Sequence, residues 1–278
     1  MIISKREIEQ LSADIRRIID GQDIELRDNR EGVWSILKND IFTLAALKNE
    51  QVSALGRERD MLKDTLANIS HQLKTPLTSM SLMTDLLENI LAQDVPSPDK
   101  QSEFIANIRS GLNRTEWLVS ALLKMAKLEA GAIEFSLAAI SSEKLIGIAL
   151  DPLQILLDMK NQLAEVSGAA ELFCDSRWTA EALTNVLKNA SEHSPDDSTL
   201  YIQSGANPIC AWVSVTDSGK GISKSEIPGL FKRFQGSRSD TGYGIGLPLA
   251  LAIMRSQNGD IEVGSGDKGA TFTLKLYK

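Results

Sequence analysis

Apolar residues in the first part of the chain recur at helical spacing. Leu55, Leu62 and Ile69 form one line at seven-residue intervals, and Leu66, Leu73 and Met80 form a second line beside it. A seam with this period predicts one long helix over about 36–91 that needs partner helices. Ser97, Pro98 and Asp99 then read as an N-cap with proline in the first turn, where a missing N–H costs nothing. They open a second helix over about 98–130, in which Ile105, Leu112, Val119 and Ala126 repeat every seven residues beside Ile108, Thr115, Leu122 and Glu129. This helix should end at Leu128-Glu129-Ala130-Gly131, because glycine takes the positive φ of a C′ position without Cβ strain. Residues 1 to about 131 thus read as helix nearly throughout, interrupted near Gly21–Gly32 and near Val95–Pro98. Two amphipathic helices joined by a short loop make an antiparallel hairpin, which cannot bury both stripes alone. Two hairpins in a four-helix bundle can, so the pattern predicts a homodimer.

Beyond about residue 132 the pattern changes. Strand-like and helix-like stretches alternate, and most of the glycines lie here. Val213-Ser214-Val215-Thr216 alternates as a strand. Asp175 to His193 reads as a helix with an apolar face of Ala182, Leu183, Val186, Leu187 and Ala190. Its other face carries Glu181, Asn185, Asn189 and Glu192 in one line. The expected architecture is therefore an all-α hairpin followed by a mixed α and β domain. At 278 residues each part is long enough to bury its own core.

Bulk composition narrows the chemistry. With 42% hydrophobic and 24% charged residues the chain has an ordinary globular composition. A formal charge of -7 argues against a nucleic-acid partner, and a polyphosphate ligand would need a cation or oriented N–H groups nearby. Cys174 and Cys210 form no C-x-x-C pair, so neither a disulfide framework nor a zinc site is expected. The longest apolar stretch, Leu145 to Met159, is interrupted by Asp151 and Pro152 and is too short for a membrane span. No signal peptide is recognisable, and the chain as given reads as soluble.

Only two histidines are present, His71 and His193. His71 lies beside the heptad seam and should be exposed on the flank of the bundle. Pro76 lacks an N–H and crowds the carbonyl of Gln72, so the helix should bend next to His71 and free an acceptor. Taken alone, His71 also fits an ordinary surface histidine. Asn185 and Asn189 lie one turn apart in mid-helix although asparagine is a poor helix former. Amide oxygens are hard ligands suited to Mg²⁺, although solvent-facing polar residues would look the same. Two glycine clusters follow, Asp217-Ser218-Gly219-Lys220-Gly221-Ile222 and Gly242-Tyr243-Gly244-Ile245-Gly246-Leu247. The second runs into an apolar helix from about Pro248 to Ser256, where N–H groups can approach phosphate closely. Neither cluster has the order of a dinucleotide or Walker loop. Between them, about 223–241 reads as a loop-rich flap bearing Lys224, Lys232, Arg233 and Arg238.

In this order the segments resemble the sensor histidine kinases of two-component systems, over roughly residues 60–278. Ser70 to Pro76 looks like their H box. Asn185 to Asn189, continuing to His193-Ser194-Pro195, looks like the N box. Asp217 to Ile222, Phe231 to Phe234, and Gly242 to Leu247 look like the G1, F and G2 boxes, and Gly269-Ala270-Thr271-Phe272 like the last glycine motif. The resemblance implies a dimerisation and phosphotransfer domain over 61–131 and a catalytic ATP-binding domain over 132–278. The second would be an α+β two-layer sandwich of the GHKL type shared with gyrase and heat-shock ATPases. Residues 1–60 resemble a HAMP-like or signalling-helix linker, with a plain helical extension of the bundle as the alternative.

The resemblance further implies ATP and Mg²⁺ as cofactors, with autophosphorylation of His71 and phosphotransfer to an aspartate of a response regulator receiver domain. Asp217 would bond the adenine amino group, and Asn189 would hold Mg²⁺ with Asn185 nearby. His193, Gly219, Gly221, Ile222, Arg233, Phe234, Gly242, Tyr243, Gly244, Ile245, Gly246, Leu247 and Thr271 complete the implied nucleotide set. Related hydrolases carry a glutamate base where Asn185 stands, and an amide there spares the γ-phosphoryl group for transfer. Thr75 stands where the family orients water for dephosphorylating the regulator. The implied setting is the cytoplasmic portion of a bacterial inner- or plasma-membrane sensor, attached only through a span absent from this chain. The chain departs from the family at Gln72, where an acidic residue is usual, and at Glu192, where a basic one is common. Gln72 leaves open a phosphatase-dominant enzyme, or a non-catalytic ATP-gated dimer that docks a regulator.

Overall fold

The computed structural model describes residues 5–19, 33–91, 98–234, 244–266 and 269–278. The expected interruption at Gly21–Gly32, the Ser97 cap, and Arg238, Gly242 and Tyr243 lie outside the described residues. The chain divides into two compact units, 1–68 and 69–278. In the first, α1 (Lys5–Ile19) places Arg16 and Arg17 in its last turn, where cations favour the helix dipole. It is followed by α2 (Val33–Leu91).

In the second unit, α2 and α3 (Pro98–Glu129) form the hairpin. A Cβ on Gly111 would stand 2.7 Å from Cγ of Met80, so the bare glycine lets the two helices meet. The end of α3 follows the expected stop signal. Gly131 has φ +62, its N–H donates to Leu128 O, and the Ala132 N–H donates to Lys127 O. These paired bonds close the last turn as a Schellman motif.

The remaining elements are β1 (Ala138–Ser141), α4 (Ser142–Leu150), a 3-10 turn at Asp151–Leu153, α5 (Gln154–Met159), β2 (Leu163–Gly168), β3 (Glu171–Cys174) and α6 (Ser176–His193). Then come β4 (Thr199–Ala206), β5 (Cys210–Thr216), a 3-10 turn at Ile227–Gly229, α7 (Gly246–Arg255), β6 (Gly259–Gly266) and β7 (Gly269–Tyr277). Five strands form one sheet in the order β2-β4-β5-β7-β6, antiparallel except for the β2–β4 pair. A separate antiparallel pair, β1–β3, had no clear signature in the sequence.

One face of the sheet is buried beneath helices, giving the expected two-layer α+β sandwich. Alternate strand residues Leu200, Ile202, Val213, Val215, Phe272 and Leu274 point inward against Leu183, Val186 and Leu187 of α6 and Leu249 and Ile253 of α7. Helix α3 joins the same core through Leu118, Ala121, Met125 and Leu128, whose spacings of three and four make one helical stripe against α7. Asp175 caps α6 by accepting from the N–H groups of Arg177 and Trp178. Cys174 and Cys210 are buried and unpaired, and burial pushes the Cys174 thiol up.

Candidate phosphoacceptor and nucleotide site

His71 lies on α2 with an exposed side chain. Helix α2 is continuous across Pro76, which is buried. Without an N–H on Pro76, the Gln72 carbonyl has no donor four residues on. The hydroxyl of Thr75 donates to the carbonyl of His71 at 3.2 Å, so it is turned back along the helix. Gln72 is half-buried, and Leu73 packs on the core below. The imidazole therefore sits on a helix surface anchored from beneath by Leu73 and Pro76.

Asp217 follows the end of β5 and is 4% exposed. Its Oδ1 accepts from the N–H groups of Gly219 at 2.9 Å and Ala270 at 3.1 Å. Its Oδ2 has no hydrogen-bond partner among the described residues. A buried carboxylate oxygen without a donor is costly, so this position calls for an N–H from a ligand. Two glycines make the carboxylate possible. A Cβ on Gly269, whose φ is +126, would stand 2.0 Å from Asp217 O, and a Cβ on Gly219 would stand 2.6 Å from His193 O. His193 is the last residue of α6, and its side chain is exposed. Gly221 and Ile222 lie against β6, with the Ile222 N–H donating to Ser265 Oγ at 2.6 Å. Thr271 shares a hydrogen bond with Thr216 across the β5–β7 pair at 2.9 Å.

The polar line of α6 divides. Asn185 Nδ2 donates to Glu181 O at 3.0 Å, which turns Oδ1 toward Gly246; a Cβ on Gly246 would stand 3.1 Å from that oxygen. Asn189 is half-buried, and its amide has no hydrogen-bond partner among the described residues. An uncommitted amide oxygen of this kind fits a hard divalent cation that also binds phosphate. The carboxylates at either end are engaged by protein instead. Glu181 Oε1 accepts from Lys124 of α3 at 2.5 Å, and Glu192 pairs with Lys188 at 3.8 Å. Lys188 in turn lies over the Trp117 ring of α3, 5.4 Å from its centroid.

Helix α7 begins at Gly246 with Ile245, which is buried, at its N-cap and no side-chain cap. The Leu249 N–H bonds Ile245 O, and Pro248 has no N–H. Among the described residues the N–H groups of Gly246 and Leu247 have no hydrogen-bond partner, which suits an anion at the positive end of the helix. Leu247 is buried in the core. The Phe234 N–H donates to Gly244 O at 3.0 Å, and the Phe234 ring packs on the core. Arg233 pairs with Glu129, the last residue of α3, and burial lowers its guanidinium pKa. Ser265, Lys124 and Glu129 carried no sequence signal for these roles, because each acts through a contact distant along the chain.

A buried carboxylate with one oxygen held by backbone, an amide-bearing helix and an uncapped helix N-terminus on a two-layer sandwich, preceded by a helical hairpin with an exposed histidine, are the features that a phosphoacceptor hairpin joined to a gyrase-type ATPase would show. Comparison with known proteins agrees. Residues 61–131 match the family model described as His Kinase A (phospho-acceptor) domain. Residues 174–278 match that described as Histidine kinase-, DNA gyrase B-, and HSP90-like ATPase. Sensor protein SrrB of Staphylococcus aureus (strain MRSA252) is 31% identical over 237 residues, covering 78% of this chain and 38% of that protein. The chain spans less than half the length of the curated relatives it matches. The structure of histidine kinase ThkA in complex with the response regulator protein TrrA has a TM-score of 0.63 at 19% identity, covering 83% of this chain and 66% of that one. Full-length ShkA in complex with AMPPNP has a TM-score of 0.57 at 24% identity, covering 77% and 46%. These two share the fold. The chain belongs to the sensor histidine kinases of two-component systems. Among the described residues, no helix is long and apolar enough to cross a membrane.

Proposed function

We propose that the chain binds ATP in the site around Asp217 and transfers its γ-phosphoryl group to His71, and then to an aspartate of a response regulator. The observation that carries this is the Asp217 carboxylate, with one oxygen satisfied by backbone and the other left for a donor such as the adenine amino group. The phosphates would lie toward the first N–H groups of α7, and Asn189, with Asn185 beside it, would hold Mg²⁺. When bound, Mg²⁺ would offset phosphate charge during transfer.

In the chemical step an imidazole nitrogen of His71, expected to be Nε2, attacks the γ-phosphorus. The bond to the β–γ bridging oxygen breaks and ADP leaves. The new phosphoimidazole sheds its Nδ1 proton. The amide oxygen of Gln72 can accept a hydrogen bond from that N–H and hold the ring, but it cannot take the proton. Because His71 is exposed, water takes it. Gln72 also supports a second activity, in which Thr75 helps water remove phosphate from the regulator and the kinase step is slow.

A homodimer through the hairpin is part of the proposal, as is a regulator receiver domain as the partner; the complex of ThkA with TrrA supports the latter by analogy of fold. Incubation with Mg²⁺ and γ-labelled ATP tests the main step. Acid-labile label is expected on the wild type and none on His71→Ala. No label on the wild type, or label that survives His71→Ala, overturns the assignment. Gln72→Glu should raise the labelling rate if the missing carboxylate limits it.

A further inference from the structure

The strongest uncommitted feature is a buried polar knot behind the nucleotide site, where the α5–β2 turn meets the C-terminal end of α6. Ser191 lies in the last turn of α6 and is fully buried. The residue four places on is Pro195, which has no N–H, so the Ser191 carbonyl has no helical donor. Two side chains from the α5–β2 turn supply donors. Lys160 Nζ donates to Ser191 O at 2.6 Å and to Ser194 O at 3.1 Å. Gln162 Nε2 lies within reach of Ser191 O at 3.2 Å, Ser194 O at 3.3 Å and Pro195 O at 2.9 Å. Gln162 is 5% exposed, and its amide is oriented because the Ser191 hydroxyl donates to Oε1 at 2.6 Å. The ammonium of Lys160 also meets the negative end of the helix dipole.

What the knot holds is the turn that abuts Asp217. Ser194 is the C-cap of α6 and is 4% exposed. Its hydroxyl oxygen accepts the N–H of Ser218, the residue after Asp217, at 3.1 Å. The Ser218 hydroxyl then donates to Thr199 O at 2.7 Å, which ties the same peptide to β4. A chain of contacts therefore runs from Lys160 and Gln162 through the Ser194 backbone and hydroxyl to the peptide that aims the Asp217 carboxylate.

We propose that Lys160 and Gln162 are positioning residues for the base-recognition end of the nucleotide site, acting through Ser194 and Ser218 on Asp217. The proposal rests on the nucleotide-site assignment made above. It predicts a loss of base discrimination in addition to any loss of stability. A purely structural knot would weaken every nucleotide alike, whereas a misaimed Asp217 loses its advantage for adenine over guanine.

The test measures ADP and GDP affinity by calorimetry, with thermal unfolding in parallel, on the full 278-residue chain. The variants are Gln162→Leu, Lys160→Met, Lys160→Arg and Ser194→Ala. Gln162→Leu and Lys160→Met should lower ADP affinity on the order of tenfold while GDP affinity changes little, so the ADP/GDP ratio falls. Lys160→Arg should restore most of it. Ser194→Ala keeps the main-chain carbonyls that Lys160 and Gln162 bind and removes only the acceptor for Ser218. It should lower the ratio similarly, and it decides the matter if Gln162→Leu does not fold. A ratio within twofold of wild type in the folded variants, or equal weakening of ADP and GDP, overturns the proposal while leaving the nucleotide site intact. A wild type that binds no ADP removes the nucleotide assignment and this proposal together.

Discussion

Helices α6 and α3 carry apolar stripes of similar regularity, yet they meet different surroundings. On α6 the whole stripe, from Ala182 through Leu183, Val186 and Leu187 to Ala190, is out of water. On α3 the stripe splits. Leu118, Ala121, Met125 and Leu128 are buried with the sandwich, while Ile105, Leu112, Val119 and Leu123 remain exposed. Leu62, Leu66, Leu77 and Leu82 of α2 are exposed as well. The sandwich is a finished core within one chain. The hairpin leaves its stripe uncovered within one chain, and contiguous apolar surface of this kind is what the proposed dimer would cover. The same periodicity thus signals a fold in one place and a partner in the other.

The comparison can be broken most sharply at Leu112. Leu112→Glu would place a carboxylate from each copy inside the proposed bundle, at several kcal/mol per buried charge. Sedimentation should show a monomer that still binds ADP. A dimer that survives this change would mean the exposed stripe is not the association face. Next in size is Leu187→Ala, which should cost the sandwich about 2–5 kcal/mol in denaturant unfolding, because the side chain is fully buried. Its effect on dimerisation should be small, and equal effects on both would erase the distinction.

Within the nucleotide site, Asp217→Asn replaces the free acceptor by an amide. It should cost about 1–3 kcal/mol of ADP affinity, roughly a tenfold to hundredfold loss by calorimetry. The smallest effect is expected from the Lys124–Glu181 pair that joins hairpin to sandwich. Its side chains are 37% and 27% exposed, so Lys124→Ala should change stability by at most about 1 kcal/mol. A double-mutant cycle with Glu181→Ala measures the coupling.

Much of this arrangement was legible along the chain. The hairpin helices, the Gly131 stop, the α6 helix with its buried face and the α+β sandwich all follow from local period, caps and motif order. Gly219 was legible as part of a glycine cluster and Gly269 as part of the last glycine motif, although the backbone oxygens that each approaches were not. The polar line of α6 reads in sequence as a ligand-facing row. In the fold, Asn189 remains uncommitted, while Glu181 and Glu192 are held by Lys124 and Lys188. Arg233 reads as a phosphate base, and here it meets Glu129. The β1–β3 pair and the parallel placement of β2 beside β4 were not legible, because strand pairing depends on partners distant in sequence.

Periodicity, proline and glycine placement, and the order of polar motifs are local properties, and they sufficed for the hairpin helices, α6, the class of the second domain and the family, and they singled out His71, Asn189 and Asp217 as candidates. Which polar side chains of α6 remain open to a ligand, how Asp217 commits one oxygen to backbone and keeps the other, and how Lys160 and Gln162 complete a helix end that Pro195 leaves open were decided only when the chain closed on itself. Hydrogen bonds and ion pairs of that kind depend on ångström-scale distances between residues 29 to 104 positions apart, and no local pattern encodes them.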